Sequence, residues 1–249
     1  MIIAHLIHDK RSLLACSLIC HSWYTASVPH LHHTVTIPPD TLAKLEWPVL
    51  LENLGKLGLL PLVKLRIRRV HYLCRTFTPE QLNSRALRQI YGMTNIRELV
   101  IDDLDIPNFM PRVQHYFGHF LPIVQSLGLR TPKGSRRQII FFIGLFEHLE
   151  DLMLVENRLA TWEPERDYHV TLVPPFAPPL RGRLVMSHVR RVNFLKDMVD
   201  LFGGVRFRYV DLFNVEETQL LLDACAETLE TVRSYPSDAC GEQLRLKRM

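Results

Sequence analysis

Paired cysteine, long apolar runs and a strong excess of charge are all missing from this chain, and each shortage closes off a class of protein. Five cysteines occur, at Cys16, Cys20, Cys74, Cys225 and Cys240. Their number is odd, no two form a CxxC pair and three lie in otherwise apolar helical stretches, a usage that suits a reducing compartment. The strongest apolar run, residues 139–146, sits between Arg136-Arg137 and Glu147. A bilayer span needs ~20 residues, so no membrane partner is expected. A secretory signal would need an unbroken apolar stretch near the start, but His5 interrupts residues 1–6 and Asp9-Lys10-Arg11 ends them. The expected location is therefore cytoplasmic or nuclear. Thirty Lys+Arg against 26 Asp+Glu leave a formal charge of +4, too mild to argue for a grip on a phosphate backbone, and no nucleic acid partner is expected.

Signatures of common chemistry are absent too. No GxSxG, GxGxxG, P-loop or HExxH occurs, so the usual hydrolase, dinucleotide and phosphate-cradling readings have no support. His30-x-His32-His33 and the pair His115 and His119 have spacings that could hold a metal, yet neither has a carboxylate or cysteine set in register. These histidines read as solvated or packed. The expectation is a protein that is not an enzyme, with no catalytic residue, no cofactor and no metal.

What the chain does contain is repetition. Its 249 residues suffice for one or two domains with a real core. Leu149-x-x-Leu152-x-Leu154-x-x-Asn157-x-Leu159 matches the leucine-rich repeat pattern LxxLxLxxNxL at every position. Degenerate copies stand at Leu62/Leu65/Ile67, Ile96/Leu99/Ile101/Leu104/Ile106, Val124/Leu127/Leu129, Phe207/Val210/Leu212 and Leu229/Val232, with a weaker one near Leu184 and Met186. From Ile96 onward the spacing stays near 20–29 residues if that weak copy is counted. Helical intervals alternate with these strands. Ser135 precedes one, Thr78-Pro79-Glu80-Gln81 and Asn214-Val215-Glu216-Glu217 open two more, and residues 190–202 end at the stop signal Gly203-Gly204. An ordinary α/β domain whose strands happen to match LxxLxL is the competing reading, and the sustained alternation favours the repeat.

In such a repeat, Leu152 and Leu154 point inward and the residues beside them outward. The outward stripe would comprise Arg66, Arg68, Glu98, Asp102, Ser126, Arg130, Asp151, Met153, Tyr209, Asp211, Phe213, Arg233 and Tyr235. Of these, Arg66, Arg68, Asp102, Arg130, Asp151, Tyr209, Asp211, Phe213 and Arg233 are the target-binding candidates. Lys64, Arg66, Arg68 and Arg69 interleave with apolar residues, which fits either a patch for an acidic or phosphorylated target or a solvated strand face. Pro174-Pro175-Phe176-Ala177-Pro178-Pro179 reads as a rigid connection between repeats.

The leader, residues 1–37, differs in character. It carries six histidines, and Pro38-Pro39-Asp40 breaks the chain after it. Residues 13–24, LLACSLICHSWY, have only Ser17, His21 and Ser22 as polar members and predict a helix apolar over most of its circumference. Such a helix needs covering, either by its own solenoid as an end cap or by a partner protein.

These residues resemble a known family. Ile2-Ile3-x-x-Leu6, the run from Asp9 through Cys20-His21-Ser22-Trp23 and the closing Leu31-His32-His33-Thr34-Val35-Thr36-Ile37 are similar to the F-box motif. The segments LFEHLEDL (residues 145–152), PPFAPPLRG (174–182) and LDACAETLE (222–230) are similar to F-box-like proteins with degenerate leucine-rich repeats, of the kind expanded in mushroom-forming fungi. The family pattern opens with a Leu-Pro turn upstream of the part matched here. The resemblance implies a substrate receptor of a Skp–cullin–F-box ubiquitin ligase, its leader docked on a Skp-type adaptor and through it a cullin, its repeats recruiting an unknown protein target. Carried over by position, Ile3, Leu6, Leu13, Leu14, Leu18 and Ile19 are the adaptor-docking residues, with Trp23 joining the helices. The runner-up is a repeat scaffold whose vestigial leader caps the solenoid and binds no adaptor. The expected architecture is α/β, with a helical F-box-like module over residues 1–37, a linker over 38–60, an irregular leucine-rich-repeat-like region over 61–240 and a basic tail over 241–249.

Overall fold

A computed structural model describes Leu6 and residues 9–31, 34–37, 69–73, 95–113, 118–156, 173–189, 193–213, 215 and 218–235. The chain forms two units, Met1–Arg97 and Glu98–Met249. The expected strand at Leu62/Leu65/Ile67 and the expected helix from Thr78 lie outside the described residues.

In the first unit, helix α1 spans Lys10–Ser17 and helix α2 spans His21–Leu31. Asp9 caps α1: its carboxylate accepts from the backbone N–H of Arg11 at 3.1 Å and of Ser12 at 3.2 Å, and from the Ser12 hydroxyl at 2.6 Å. That hydroxyl, followed by the Ser12 N–H, holds the Asp9 carboxyl below its ordinary pKa. The continuous helix expected over residues 13–24 is instead broken at residues 18–20. Ser17 donates its hydroxyl to the Leu14 carbonyl at 2.7 Å, the group that would otherwise receive the Leu18 N–H, and Leu18 turns to Ala15 instead at 3.1 Å. The two helices fold against each other. Strand β1 (Thr34–Ile37) pairs in parallel with β2 (Arg69–Leu73), Val35 opposite Val70.

The second unit carries six parallel strands, β3 (Glu98–Asp102), β4 (Ser126–Arg130), β5 (Asp151–Val155), β6 (Arg183–Ser187), β7 (Tyr209–Phe213) and β8 (Thr231–Tyr235). Each pairs with the next in chain order and without a register shift. A parallel neighbour requires the chain to return to the starting end between strands. That return is made by α3 (Ile106–Phe109) and a 3₁₀ turn (Met110–Arg112), by α4 (Arg136–Ile143), by α5 (Phe194–Leu201) and by α6 (Thr218–Ala224). Between β5 and β6 the described part of the return is the proline-rich strap of residues 173–182.

Because side chains alternate across a strand, the aligned register stacks like positions in columns. The second position holds Leu99, Leu127, Leu152, Leu184, Val210 and Val232, and the fourth holds Ile101, Leu129, Leu154, Met186 and Leu212, all buried. Each such side chain contributes about 1.5–3 kcal/mol relative to exposure. Helix residues Ile139, Ile140, Phe142, Ile143, Phe194, Leu195, Met198 and Leu221 fill the same core, and Arg136 of α4 meets Asp197 of α5 at 2.8 Å. The ladder continues past the strands, as Asp103, Glu156 and His188 donate their N–H to the carbonyls of Arg130, Ser187 and Phe213 at 2.8, 2.9 and 2.8 Å. Asp103, Thr131 and His188 occupy one register position just beyond β3, β4 and β6, and all three have positive φ, 55°, 48° and 58°. Each turns the chain off the sheet, a strained conformation for a β-branched threonine. The Thr131 hydroxyl donates to the Asp103 carboxylate, joining the turn after β4 to the turn after β3.

The expected helix after Ser135 forms with a full capping box. Ser135 accepts from the Gln138 N–H at 3.3 Å, and the Gln138 side chain accepts from the Ser135 N–H at 2.8 Å. Ser135→Ala is expected to lower stability by about 1 kcal/mol in urea unfolding, with Ser135→Asp restoring most of the loss. Helix α5 ends as the glycine pair implied, Gly203 and Gly204 taking φ of 68° and 107°, although its described start is Phe194 and not residue 190.

Candidate binding face

The odd register positions place side chains on the face opposite the core. The first holds Glu98, Ser126, Asp151, Arg183, Tyr209 and Thr231; the third Val100, Gly128, Met153, Val185, Asp211 and Arg233; the fifth Asp102, Arg130, Val155, Ser187, Phe213 and Tyr235. Seven of the nine target-binding candidates are thereby collected on one face of one sheet. Arg66 and Arg68 lie outside the described residues.

The face has two unlike ends. Toward β3, Arg130 approaches Asp102 at 3.9 Å, and Val100 and Met153 close over Gly128, where an added Cβ would lie 2.7 Å from Met153 Cε and 3.2 Å from Val100 Cγ2. Asp151 does not stand open as a ligand group. Its Oδ1 accepts the Arg183 N–H at 2.6 Å and so fastens β5 to the start of β6. Toward β8, Arg183 donates from Nε at 3.0 Å and from Nη2 to Asp211 Oδ2, while Arg233 Nε stands 3.9 Å from Asp211 Oδ1. Asp211 is only 6% exposed. Phe213 and Tyr235 stack with centroids 4.5 Å apart and planes 4° from parallel. Arg208 pairs with Glu230 and lies 5.9 Å from the Tyr209 ring centroid. The hydrogen bond between Tyr209 and Glu230, with that carboxylate's charge, pushes the tyrosine hydroxyl above its ordinary pKa.

Sequence reasoning missed Arg183, although the weak repeat at Leu184 and Met186 could have supplied it through the same alternation. It also missed the pairing of Arg208 with Glu230, which join β7 and β8 just before their first residues.

The docking candidates of the leader divide. Leu14, Leu18 and Ile19 are 54%, 86% and 63% exposed, and Leu6 is half-buried. Leu13 is fully buried and Cys16 nearly so, so Leu13 belongs to the packing of the unit and not to an open docking surface; the α1–α2 fold turns it inward. Ile3 lies outside the described residues. Cys225 is buried, its thiol directed at the Val205 carbonyl at 3.7 Å, and burial pushes its pKa up, the opposite of an activated nucleophile. Among the described residues no group of three His, Cys, Asp or Glu is placed to hold a metal, and no helix is long and apolar enough to cross a membrane.

In comparison with known proteins, no family model matches the chain, and neither a curated protein nor a solved structure matches it significantly.

Proposed function

We propose that this chain is a protein-binding substrate receptor of a Skp–cullin–F-box ubiquitin ligase, acting in the cytoplasm or nucleus. In this reading α1 and α2 form an F-box-like module that docks a Skp-type adaptor and through it a cullin. The six-stranded sheet is the inner wall of an irregular leucine-rich-repeat-like solenoid, and its open face recruits a target protein. The chain binds and performs no chemistry of its own; ubiquitin transfer belongs to other subunits.

The observation that carries the reading is the strand order. Parallel strands that follow the chain one after another, with leucine-type residues at the second and fourth positions and mixed polar, aliphatic and aromatic residues on the other side, are what stacked repeats require, and stacked repeats expose long faces suited to protein partners. Leu14, Leu18 and Ile19 support the leader's role, because three large apolar side chains exposed within six residues, at the end of α1 and in the turn after it, suit a partner surface.

The exposed trio is also the means of testing it. Changing Leu14, Leu18 and Ile19 together to Asp is expected to abolish co-purification with a Skp-type adaptor while shifting the melting temperature little, since none of the three is in the core. Retention of the adaptor by the triple variant would remove these residues from the docking surface.

A further inference from the structure

Arg183 and Arg233 share one carboxylate. Asp211 Oδ2 takes both hydrogen bonds from Arg183, and Arg233 at 3.9 Å from Oδ1 is too far for one. Asp211 is the carboxylate that meets both guanidiniums, while the neighbouring Asp151 accepts the Arg183 backbone N–H instead; the two arginine side chains are 57% and 59% exposed, so part of their five N–H donors each faces solvent. Among the described residues the remaining arginine at an outward strand position, Arg130, meets Asp102, and before the strand starts Arg208 meets Glu230 and Arg181 meets Glu150. One pleat repeat beyond Asp211 and Arg233, about 6.6 Å along the strands, lies the stacked pair of Phe213 and Tyr235. Arginine and large aromatics are the residue types that carry most binding energy at protein interfaces.

We propose that the β6–β8 end of the open face is where the target binds, and that it takes an extended segment presenting an aspartate or glutamate side chain to Arg183 and Arg233 and an apolar or aromatic side chain to the Phe213–Tyr235 stack. This rests on the receptor reading above. The buried Asp211 holds Arg183 in place before the ligand arrives, so an incoming carboxylate meets donors already oriented. A carboxylate, at one negative charge, suits donors that already stand beside Asp211 and Asp151 better than a phosphate at nearly −2 does. The β3 end offers no such match, since Glu98 and Asp102 stand there and Val100 and Met153 seal the surface over Gly128.

The test is fluorescence anisotropy of the purified full chain with short glycine-serine peptides carrying one central glutamate flanked by phenylalanines, and with versions carrying glutamine or phosphoserine in its place. The glutamate peptide is expected to bind about tenfold tighter than the glutamine peptide, one charge-assisted contact at 1.4 kcal/mol per factor of ten. Arg233→Gln, at an exposed side chain, is expected to erase that preference with an unchanged melting temperature, and Phe213→Ala to weaken both peptides alike. Raising the ionic strength should shrink the preference in the unaltered chain, a readout that needs no variant. Equal binding of glutamate and glutamine, phosphoserine binding more than tenfold tighter than glutamate, or an equal loss from Arg130→Gln would each overturn the proposal. Adaptor co-purification reads the leader separately: glutamate preference without adaptor binding removes the receptor reading alone, and adaptor binding without the preference removes this inference alone.

Discussion

Leu154→Ala is expected to destabilise the chain by about 3 kcal/mol, while Val155→Ala, one residue further along the same strand, costs under about 1 kcal/mol. Leu154 is fully buried at the fourth position of β5, between Leu129 and Met186 on the neighbouring strands. Truncating it removes apolar burial and leaves a cavity that its fixed neighbours fill poorly. Val155 points to the open face and is half-buried. For a chain of this size the first change should lower the melting temperature by roughly 10 °C. Since a one-residue slip in register exchanges the two faces of a strand, the reverse order of costs would contradict the sheet as described.

Gly144→Ala should cost about 2 kcal/mol, although alanine is the better residue for a helix end on propensity. Gly144 follows α4 with an ordinary φ of −71°, so its backbone needs no glycine, and replacing glycine elsewhere gains about 0.4–1 kcal/mol by restricting the unfolded chain. Here contact outweighs that gain. An added Cβ would lie 2.3 Å from Pro174 Cβ, 3.1 Å from Phe202 Cε1 and 3.2 Å from the Phe176 carbonyl oxygen. The proline ring cannot rotate away, and the Phe176 N–H that donates to the Gly144 carbonyl at 3.1 Å moves with it. Limited proteolysis should therefore cut the variant faster within residues 173–182, alongside its reduced urea midpoint. An unchanged cutting rate would mean that the strap is not seated on α4.

The alternation that builds the sheet was legible because Leu152 and Leu154, Leu127 and Leu129, and Leu99 and Ile101 carry it in plain sequence. The alternation at Leu184 and Met186, in strand β6, was faint for a physical reason. Its upstream apolar partner is Leu180, buried and turned by a φ of 39°, one residue earlier than LxxL spacing requires, so Arg181 stands where the pattern puts a leucine. The capping signals at Ser135 and Gly203 were local and readable. The break between α1 and α2 was not, because it follows from Ser17 diverting one carbonyl, and it turned an expected docking residue, Leu13, into core. On the open face, alternation sufficed to collect residues such as Asp102, Tyr209 and Phe213. The uses of Asp151 and Asp211 were hidden, since their partners Arg183 and Arg233 come from other strands and only the register brings them together.

The most direct measurement is size-exclusion chromatography of the full chain co-expressed with a Skp-type adaptor. Co-elution of the two proteins, lost on changing Leu14, Leu18 and Ile19 to Asp while the variant keeps its melting temperature, is the result the receptor account predicts. Separate elution of the unaltered, folded chain and the adaptor would contradict it.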